Sequence, residues 1–132
     1  MTQAESTAVD VVSRMADRFA AGDFEGAFAV LHPSFRIQQP ESLPHGGWYD
    51  GREGMGRMGA RFAEHWTRTI SPPRLAAWGE GAVQVTSQTW TATATGRSAT
   101  VDVVELFEVT DGLISQIRVF QQDTAALLAT LS

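Results

Sequence analysis

The sequence predicts one α+β domain, spanning residues 1–132, in which three helices pack on a curved, mainly antiparallel sheet to form a cone-shaped barrel. Three observations predict it. The length of 132 residues suits a single domain. The N-terminal half carries mostly helical patterns, and the C-terminal half is a run of Thr- and Val-rich strands separated by turns. A sheet that curves around packed helices encloses a cavity open at one end.

Apolar residues at helical spacing predict helices over residues 6–21, 24–31 and 52–69. The third helix places Trp66 one turn after Phe62 on its apolar stripe. Three glycines weaken its first half, and we expect close packing against the sheet to explain them. These glycines are Gly54, Gly56 and Gly59.

The remaining pattern predicts five strands and a short final helix. The strands are expected over residues 35–39, 75–78, 83–95, 100–109 and 113–122, and the helix over residues 124–131. Asp23 and Asp123 are the expected N-caps of the second and last helices. Residues 40–51, between the first strand and the third helix, are predicted to form a loop because they are rich in Gly and Pro.

Alternation along the two long strands assigns their side chains to the two faces of the sheet. If residues 96–97 form a two-residue turn, Gln88 lies opposite Glu105, and opposed residues share a face. The interior is then expected to carry Gln88, Trp90, Val103, Glu105 and Phe107. The outer face carries Val104 and Leu106, an apolar surface that predicts a homodimer.

Glu105 is the strongest chemical signal in the sequence. A carboxyl group among apolar side chains has a raised pKa unless it is paired, so Glu105 is a candidate acid, base or oxyanion donor. The alternative is that Gln88 or an arginine holds Glu105 as a structural polar pair.

The loop adds two candidates. Histidine is easily poised near neutral pH, so His45 is a candidate second proton-transfer group if the loop folds over the cavity. The alternative is a surface or structural histidine. Tyr49 is expected to donate a hydrogen bond at the mouth of the cavity. One of Gln38 and Gln39 must point inward, and Gln39 is a candidate to orient a substrate or a water molecule.

Composition excludes several classes of function. The net charge is −5 and all ten basic residues are scattered arginines, which argues against nucleic-acid binding. No apolar stretch is long enough for a bilayer, and no signal peptide is recognisable, so no membrane contact is expected. The absence of cysteine excludes thiolate chemistry and fits a reducing cytoplasm. No spacing typical of a metal site or of a nucleotide-binding loop is present, so we expect no cofactor and no metal.

Three segments carry a resemblance to a known family. Residues 11–26, residues 43–54 (LPHGGWYDGREG) and residues 105–114 (ELFEVTDGLI) resemble the nuclear transport factor 2-like superfamily, and within it the SnoaL-like and ketosteroid-isomerase-like proteins. The resemblance implies a cystatin-like cone with an internal small-molecule pocket. It leaves the reaction open, because the fold hosts isomerases, cyclases, dehydratases, epoxide hydrolases and non-catalytic binders.

The resemblance also assigns positions that this sequence fills differently. The catalytic Tyr, basic Asp and protonated Asp of ketosteroid isomerases correspond by position to Met15, Gln39 and Glu105. Met15 cannot donate a hydrogen bond and Gln39 cannot act as a base, so steroid isomerisation by that mechanism is not expected. Glu105 retains a carboxyl group at the family's oxyanion-donor position.

We therefore expect a cofactor-free acid/base enzyme acting on a largely apolar small molecule of secondary, polyketide-type metabolism. Ring closure, isomerisation, dehydration and epoxide opening all remain open. Glu105, His45 and Gln39 are the candidate catalytic residues. The expected substrate-binding residues are Met15, Tyr49, Phe62, Trp66, Gln88, Trp90 and Phe107. The alternatives are a non-catalytic binding module or dimeric scaffold, and a pure dimerisation domain.

Overall fold

A curved sheet organises the computed structural model, which describes the backbone of residues 3–132 and the side chains from Ala8 onward. The helices are α1 (Gln3–Ala20), α2 (Phe24–Phe28), α3 (Gly51–Ala63) and α4 (Thr124–Ala129). The strands are β1 (Leu31–Gln39), β2 (Gly47–Asp50), β3 (Trp66–Ile70), β4 (Arg74–Trp78), β5 (Gly81–Ala92), β6 (Ser98–Thr110) and β7 (Leu113–Gln121). This is the predicted cone-shaped α+β fold.

The strand order within residues 3–132 is β2-β1-β7-β6-β5-β3, and β4 also pairs with β5. Strand β5 is long enough to hold β4 along its first half and β3 along its second half. The β1–β7 pair is parallel, and the other described pairs are antiparallel. The mainly antiparallel sheet is therefore confirmed.

The helices cover the concave face of this sheet. Helix α1 contacts β4 to β7, and α3 contacts β1 to β3. Between them lies a core that includes fully buried aromatic side chains, each stabilising the fold by about 1.5–3 kcal/mol. These aromatics are Phe35, Trp66, Trp90 and Phe107. Within residues 3–132, no helix is both long enough and apolar enough to cross a membrane.

Helix α2 is shorter and strand β1 longer than predicted. The backbone nitrogen of Ile114 donates to the Val30 carbonyl at 2.9 Å, and Leu31 pairs with Ile114. Pairing with β7 therefore draws the chain into a strand several residues early. Pro33 lies within the register shift that follows Leu31, a place where a strand tolerates proline. Asp23 and Asp123 cap α2 and α4 as predicted.

The prediction of one helix over residues 52–69 is wrong beyond Ala63, because Trp66–Ile70 forms strand β3. Trp66 follows Phe62 at helical spacing, which imitates a continuous stripe. The β-branched residues after Trp66 favour a strand instead, and β5 supplies the partner. Gly47–Asp50, predicted as loop, forms β2 against β1.

The predicted register between β5 and β6 is wrong, but the predicted assignment of their side chains to the two faces of the sheet is right. Gln88 pairs with Val101, and Glu105 pairs with Gln84, so each partner is displaced by four residues. The connection between the strands is longer than two residues. Within it, the Ala92 carbonyl oxygen accepts a hydrogen bond from the backbone nitrogen of Gly96. Because the displacement is even, every side chain keeps its predicted face.

The expectation that the α3 glycines permit close packing holds at one position. A Cβ atom on the buried Gly54 would lie 3.0 Å from the Tyr49 carbonyl carbon. A Cβ atom on Gly56 or Gly59 would meet nothing within 4 Å, so the expectation is wrong there.

Candidate functional site

A carboxyl–amide pair lies on the concave face of the two longest strands. Oε1 of Glu105 accepts a hydrogen bond from Nε2 of Gln84 at 3.2 Å, and the two residues are direct cross-strand neighbours. Gln84 is buried, whereas Glu105 is half-buried. The structure places Glu105 on the predicted interior face, with Gln84 rather than Gln88 as its amide neighbour.

The environment of Glu105 disfavours its charged form. Removal from water raises the pKa of the Glu105 carboxyl group above 4.5. The positive charge of Arg68 and the hydrogen bond from Gln84 favour the carboxylate but do not reverse the effect of burial. Glu105 therefore holds its proton at a higher pH than an ordinary glutamate, and a protonated carboxyl group can donate as well as accept.

Arg68 brings a positive charge to the same face. It pairs with Trp90 across β3 and β5, so both side chains share the concave side. Its guanidinium carbon lies 4.8 Å from the centre of the Phe62 ring, a cation–π contact. Among the described side chains, no carboxylate lies within 4.0 Å of Arg68. Burial lowers the pKa of Arg68 and Glu105 opposes this, yet a guanidinium remains charged at neutral pH.

Sequence reasoning did not single out Arg68 or Gln84. Arg68 was assigned to a helix, and only its placement in β3 puts it beside Trp90. Gln84 was hidden by the register error. Its position at the even spacing of Gln88 and Trp90 on one strand was the available signal.

His45 lies in a cage of aromatic rings. Its ring centre is 5.4 Å from that of Phe62, 5.9 Å from Trp66 and 5.7 Å from Trp90. Only 2% of the residue is exposed, so the loop folds into the cone rather than lying on the surface. The structure thus places His45 among the predicted wall residues Phe62, Trp66 and Trp90.

The His45 imidazole is neutral at physiological pH. Burial, followed by the positive charge of Arg68 and by His65, lowers the pKa of His45 from 6.5 to about 4. Its Nδ1 atom is buried and has no hydrogen-bond partner in the described part of the chain. An unpaired polar atom in such surroundings is costly, and a ligand group that binds it would remove the cost.

Tyr49 supports the His45 loop. Its hydroxyl group donates to the His45 carbonyl oxygen at 3.1 Å and accepts a hydrogen bond from Arg61 at 3.1 Å. Tyr49 is buried, and its hydroxyl proton is directed at the backbone of its own loop. We therefore assign it to holding His45 in place rather than to the mouth of the cavity.

Gln39, rather than Gln38, is the buried one of the pair at the end of β1. Its Nε2 contacts the Met58 sulfur at 3.3 Å, and its Oε1 accepts from Gln121 at 3.3 Å. The Oε1 atoms of Gln121 and of Gln84 are buried without a partner. This side of the interior therefore presents unsatisfied hydrogen-bond acceptors.

The other predicted residues build the wall. Trp90 donates to Oε1 of Gln88 at 2.9 Å, and Gln88 donates to Thr86 at 3.0 Å, so the amide of Gln88 fixes Trp90. Trp66 donates to Thr130 at 2.8 Å. The wall also includes two buried apolar side chains from α1 and β6, namely Met15 and Phe107. Among the side chains of residues 8–132, no three His, Asp or Glu residues cluster as metal ligands.

Taken together, these groups suit proton transfer in a water-poor interior. Burial shifts both groups toward their uncharged forms, because it raises the pKa of Glu105 and lowers the pKa of His45. A protonated carboxyl group can supply a proton and a neutral imidazole can take one. The surrounding aromatic rings exclude water, which strengthens every electrostatic interaction inside.

A curved sheet closed by helices, with polar groups on its concave face, defines a protein of the nuclear transport factor 2-like class. A profile of the SnoaL-like domain matches residues 12–117. The chain belongs to the SnoaL-like family. No curated protein matches the sequence.

Solved structures agree with this fold. A nuclear transport factor 2-like protein from Burkholderia xenovorans matches with a TM-score of 0.84 and 23% identity, over 97% of this chain and 98% of that chain. TerC co-crystallised with polyporic acid matches with a TM-score of 0.83 and 20% identity, over 95% of this chain and 98% of that chain. A candidate polyketide cyclase from a Silicibacter species matches with a TM-score of 0.74 and 20% identity, over 93% of each chain.

The lowered pKa of His45 predicts a pH-dependent stability. Between pH 6.5 and 4 the unfolded chain binds a proton at His45 and the folded chain does not, so this contribution is present above pH 6.5 and is lost as the pH falls through about 4. The loss amounts to about 3 kcal/mol. Urea unfolding at several pH values should show a steeper decline for the wild type than for His45→Gln.

His32→Gln replaces a half-buried histidine of β1 and is the matched control. It should keep the wild-type decline of the free energy of unfolding with falling pH. Equal pH dependence in the wild type and in His45→Gln would contradict the assignment.

Proposed function

We propose that the chain is an enzyme performing cofactor-free acid/base chemistry on a largely apolar small molecule. One observation carries the proposal: Glu105 lies half-buried on the concave face, bonded to Gln84, with a raised pKa. Perturbed carboxyl groups of this kind cluster at sites that move protons.

Glu105 and His45 can divide the proton transfers between them. Ring closure, isomerisation and dehydration each remove a proton from one substrate atom and deliver one to another. Glu105 supplies a proton, or a hydrogen bond, to the oxygen that gains negative charge, and Gln84 orients the carboxyl group. His45 is the candidate acceptor of the second proton. The amide of Gln39 positions the substrate or a water molecule.

The structural neighbours support a polyketide-type substrate. Proteins named as candidate polyketide cyclases from Silicibacter, Pseudomonas putida and Xanthomonas campestris share the fold. TerC, which also shares the fold, was co-crystallised with polyporic acid. The aromatic wall around His45 suits a planar, largely apolar molecule of this class.

The second candidate function is binding without turnover. Met15 and Gln39 occupy positions where ketosteroid isomerases carry catalytic groups, and neither has the needed chemistry. The amide of Gln39 is moreover engaged with Met58 and Gln121. A carrier would use the same cavity and retain its ligand unchanged.

Replacement of the carboxyl group separates the two candidates. A panel of aryl β-ketoesters, β-hydroxyketones and aryl epoxides, followed by mass spectrometry, tests ring closure, dehydration and epoxide opening. For any compound consumed, Glu105→Gln should lower kcat by about 100-fold or more, because the amide cannot transfer a proton. Glu108→Gln, an exposed change on the same strand, should retain wild-type kcat.

Activity of Glu105→Gln within a few-fold of wild type would overturn the acid/base role. Binding of panel compounds without consumption of any would favour the carrier.

We also propose that the chain forms a homodimer through the convex face of the sheet. Val83 lies beside Leu106, and Val85 lies beside Val104, which in turn lies beside Phe120. These side chains form one continuous apolar surface, and Phe120 is 45% exposed. Large exposed apolar patches mark surfaces that another subunit covers.

Light scattering at micromolar concentration tests the dimer. The wild type should show about twice the chain mass of 14.3 kDa. Leu106→Arg places a charge within the apolar surface and should give the monomer mass. Thr100→Arg, on the same face of β6 but near the start of that strand, should keep the dimer mass. A monomer mass for the wild type would contradict the proposal.

A further inference from the structure

We propose that Arg68 is the specificity-determining residue of the interior, and that it binds a negatively charged oxygen of a planar aromatic substrate. The inference rests on the proposed function, because it names the substrate class of the same site. The geometry that points to it is a cation on the concave face, stacked on one aromatic ring and beside a second, with no carboxylate within 4.0 Å among the side chains of residues 8–132.

Arg68 is placed where a substrate can reach it. The residue belongs to β3, at the edge of the sheet, and it is exposed although its side chain lies on the concave face. Its positive charge acts on both His45 and Glu105, the two candidate proton-transfer groups. We therefore expect a ligand bound to Arg68 to lie near both.

The charge of Arg68 is not compensated within the site. Glu105, the acidic group that influences it, is held toward its uncharged form, and Phe62 offers only a ring face. A ligand oxyanion would supply Arg68 with an anionic partner through charge-assisted hydrogen bonds. Arginine suits this role because its planar fork matches a carboxylate or an enolate.

The neighbouring groups define the rest of the ligand. Phe62, whose ring lies against Arg68, is half-buried and offers a flat aromatic substrate a surface on which to pack. The buried Trp90 ring supports it edge to face, with the two ring centres 4.9 Å apart. Nδ1 of His45 and Oε1 of Gln84 are buried without partners and call for hydrogen-bonding groups. The substrate class is therefore a hydroxylated aromatic carboxylate or enolate, rather than a neutral hydrocarbon.

The test compares two probes of nearly equal shape, 2-naphthoate and 2-naphthamide, by isothermal titration calorimetry. The wild type should bind the carboxylate roughly tenfold more tightly, as expected for a hydrogen bond to a charged group. Arg68→Gln should bring the two affinities together, and Arg68→Lys should retain part of the preference. Arg74→Gln, the same loss of charge on the other edge strand, should keep the wild-type preference.

A crystal structure of the wild type with 2-naphthoate provides a readout that needs no variant to fold. The carboxylate should lie about 3 Å from the Arg68 guanidinium. A tenfold preference that survives Arg68→Gln, equal affinity of the wild type for both probes, or no binding of either would overturn the proposal. If the acid/base proposal is wrong, Glu105→Gln keeps the wild-type turnover. That result is independent of the naphthoate preference, so the failures of the two proposals are distinguishable.

Discussion

The concave face holds the Glu105 carboxyl group away from bulk water and gives it an amide, Gln84, as its hydrogen-bonding neighbour. Burial raises the pKa of the carboxyl group despite the nearby charge of Arg68. The chemistry of the interior depends on this balance, because a carboxyl group that keeps its proton can donate it, whereas a carboxylate can only accept one. Among the described side chains, the concave face thus brings together a carboxyl group with a raised pKa, a neutral imidazole at His45 and the Arg68 guanidinium.

The sheet explains how these groups come together. Strand β5 carries Gln84 and Trp90 on one face, and its two halves hold β4 and β3 as separate edges. Strand β3 therefore enters the sheet beside Trp90, which directs Arg68 toward the interior. The loop before β2 returns His45 to the same rings, and the Tyr49 hydroxyl group fixes the loop backbone at 3.1 Å. The fold of the family thus positions the polar side chains of Gln84, Arg68 and His45 toward the interior of this protein.

The sequence predicted the architecture and the face of Glu105, because alternation in a strand survives any even error in register. It could not predict the pairing itself, since the length of the β5–β6 connection decides whether Gln84 or Gln88 lies beside Glu105. Arg68 was missed because Phe62 and Trp66 share helical spacing, although the chain between them leaves the helix at Ala63. The burial of His45 depends on loop packing, which no local pattern encodes.

The central claim is that Glu105 keeps its proton above the pH at which glutamates ordinarily ionise. Selective ¹³C labelling of glutamate Cδ, with Glu105→Gln to assign the resonance, measures this ionisation directly in the folded protein. The account predicts a midpoint above the ordinary value of 4.5. A midpoint at or below 4.5 would show an ordinary, ionised carboxylate and would contradict the acid/base site.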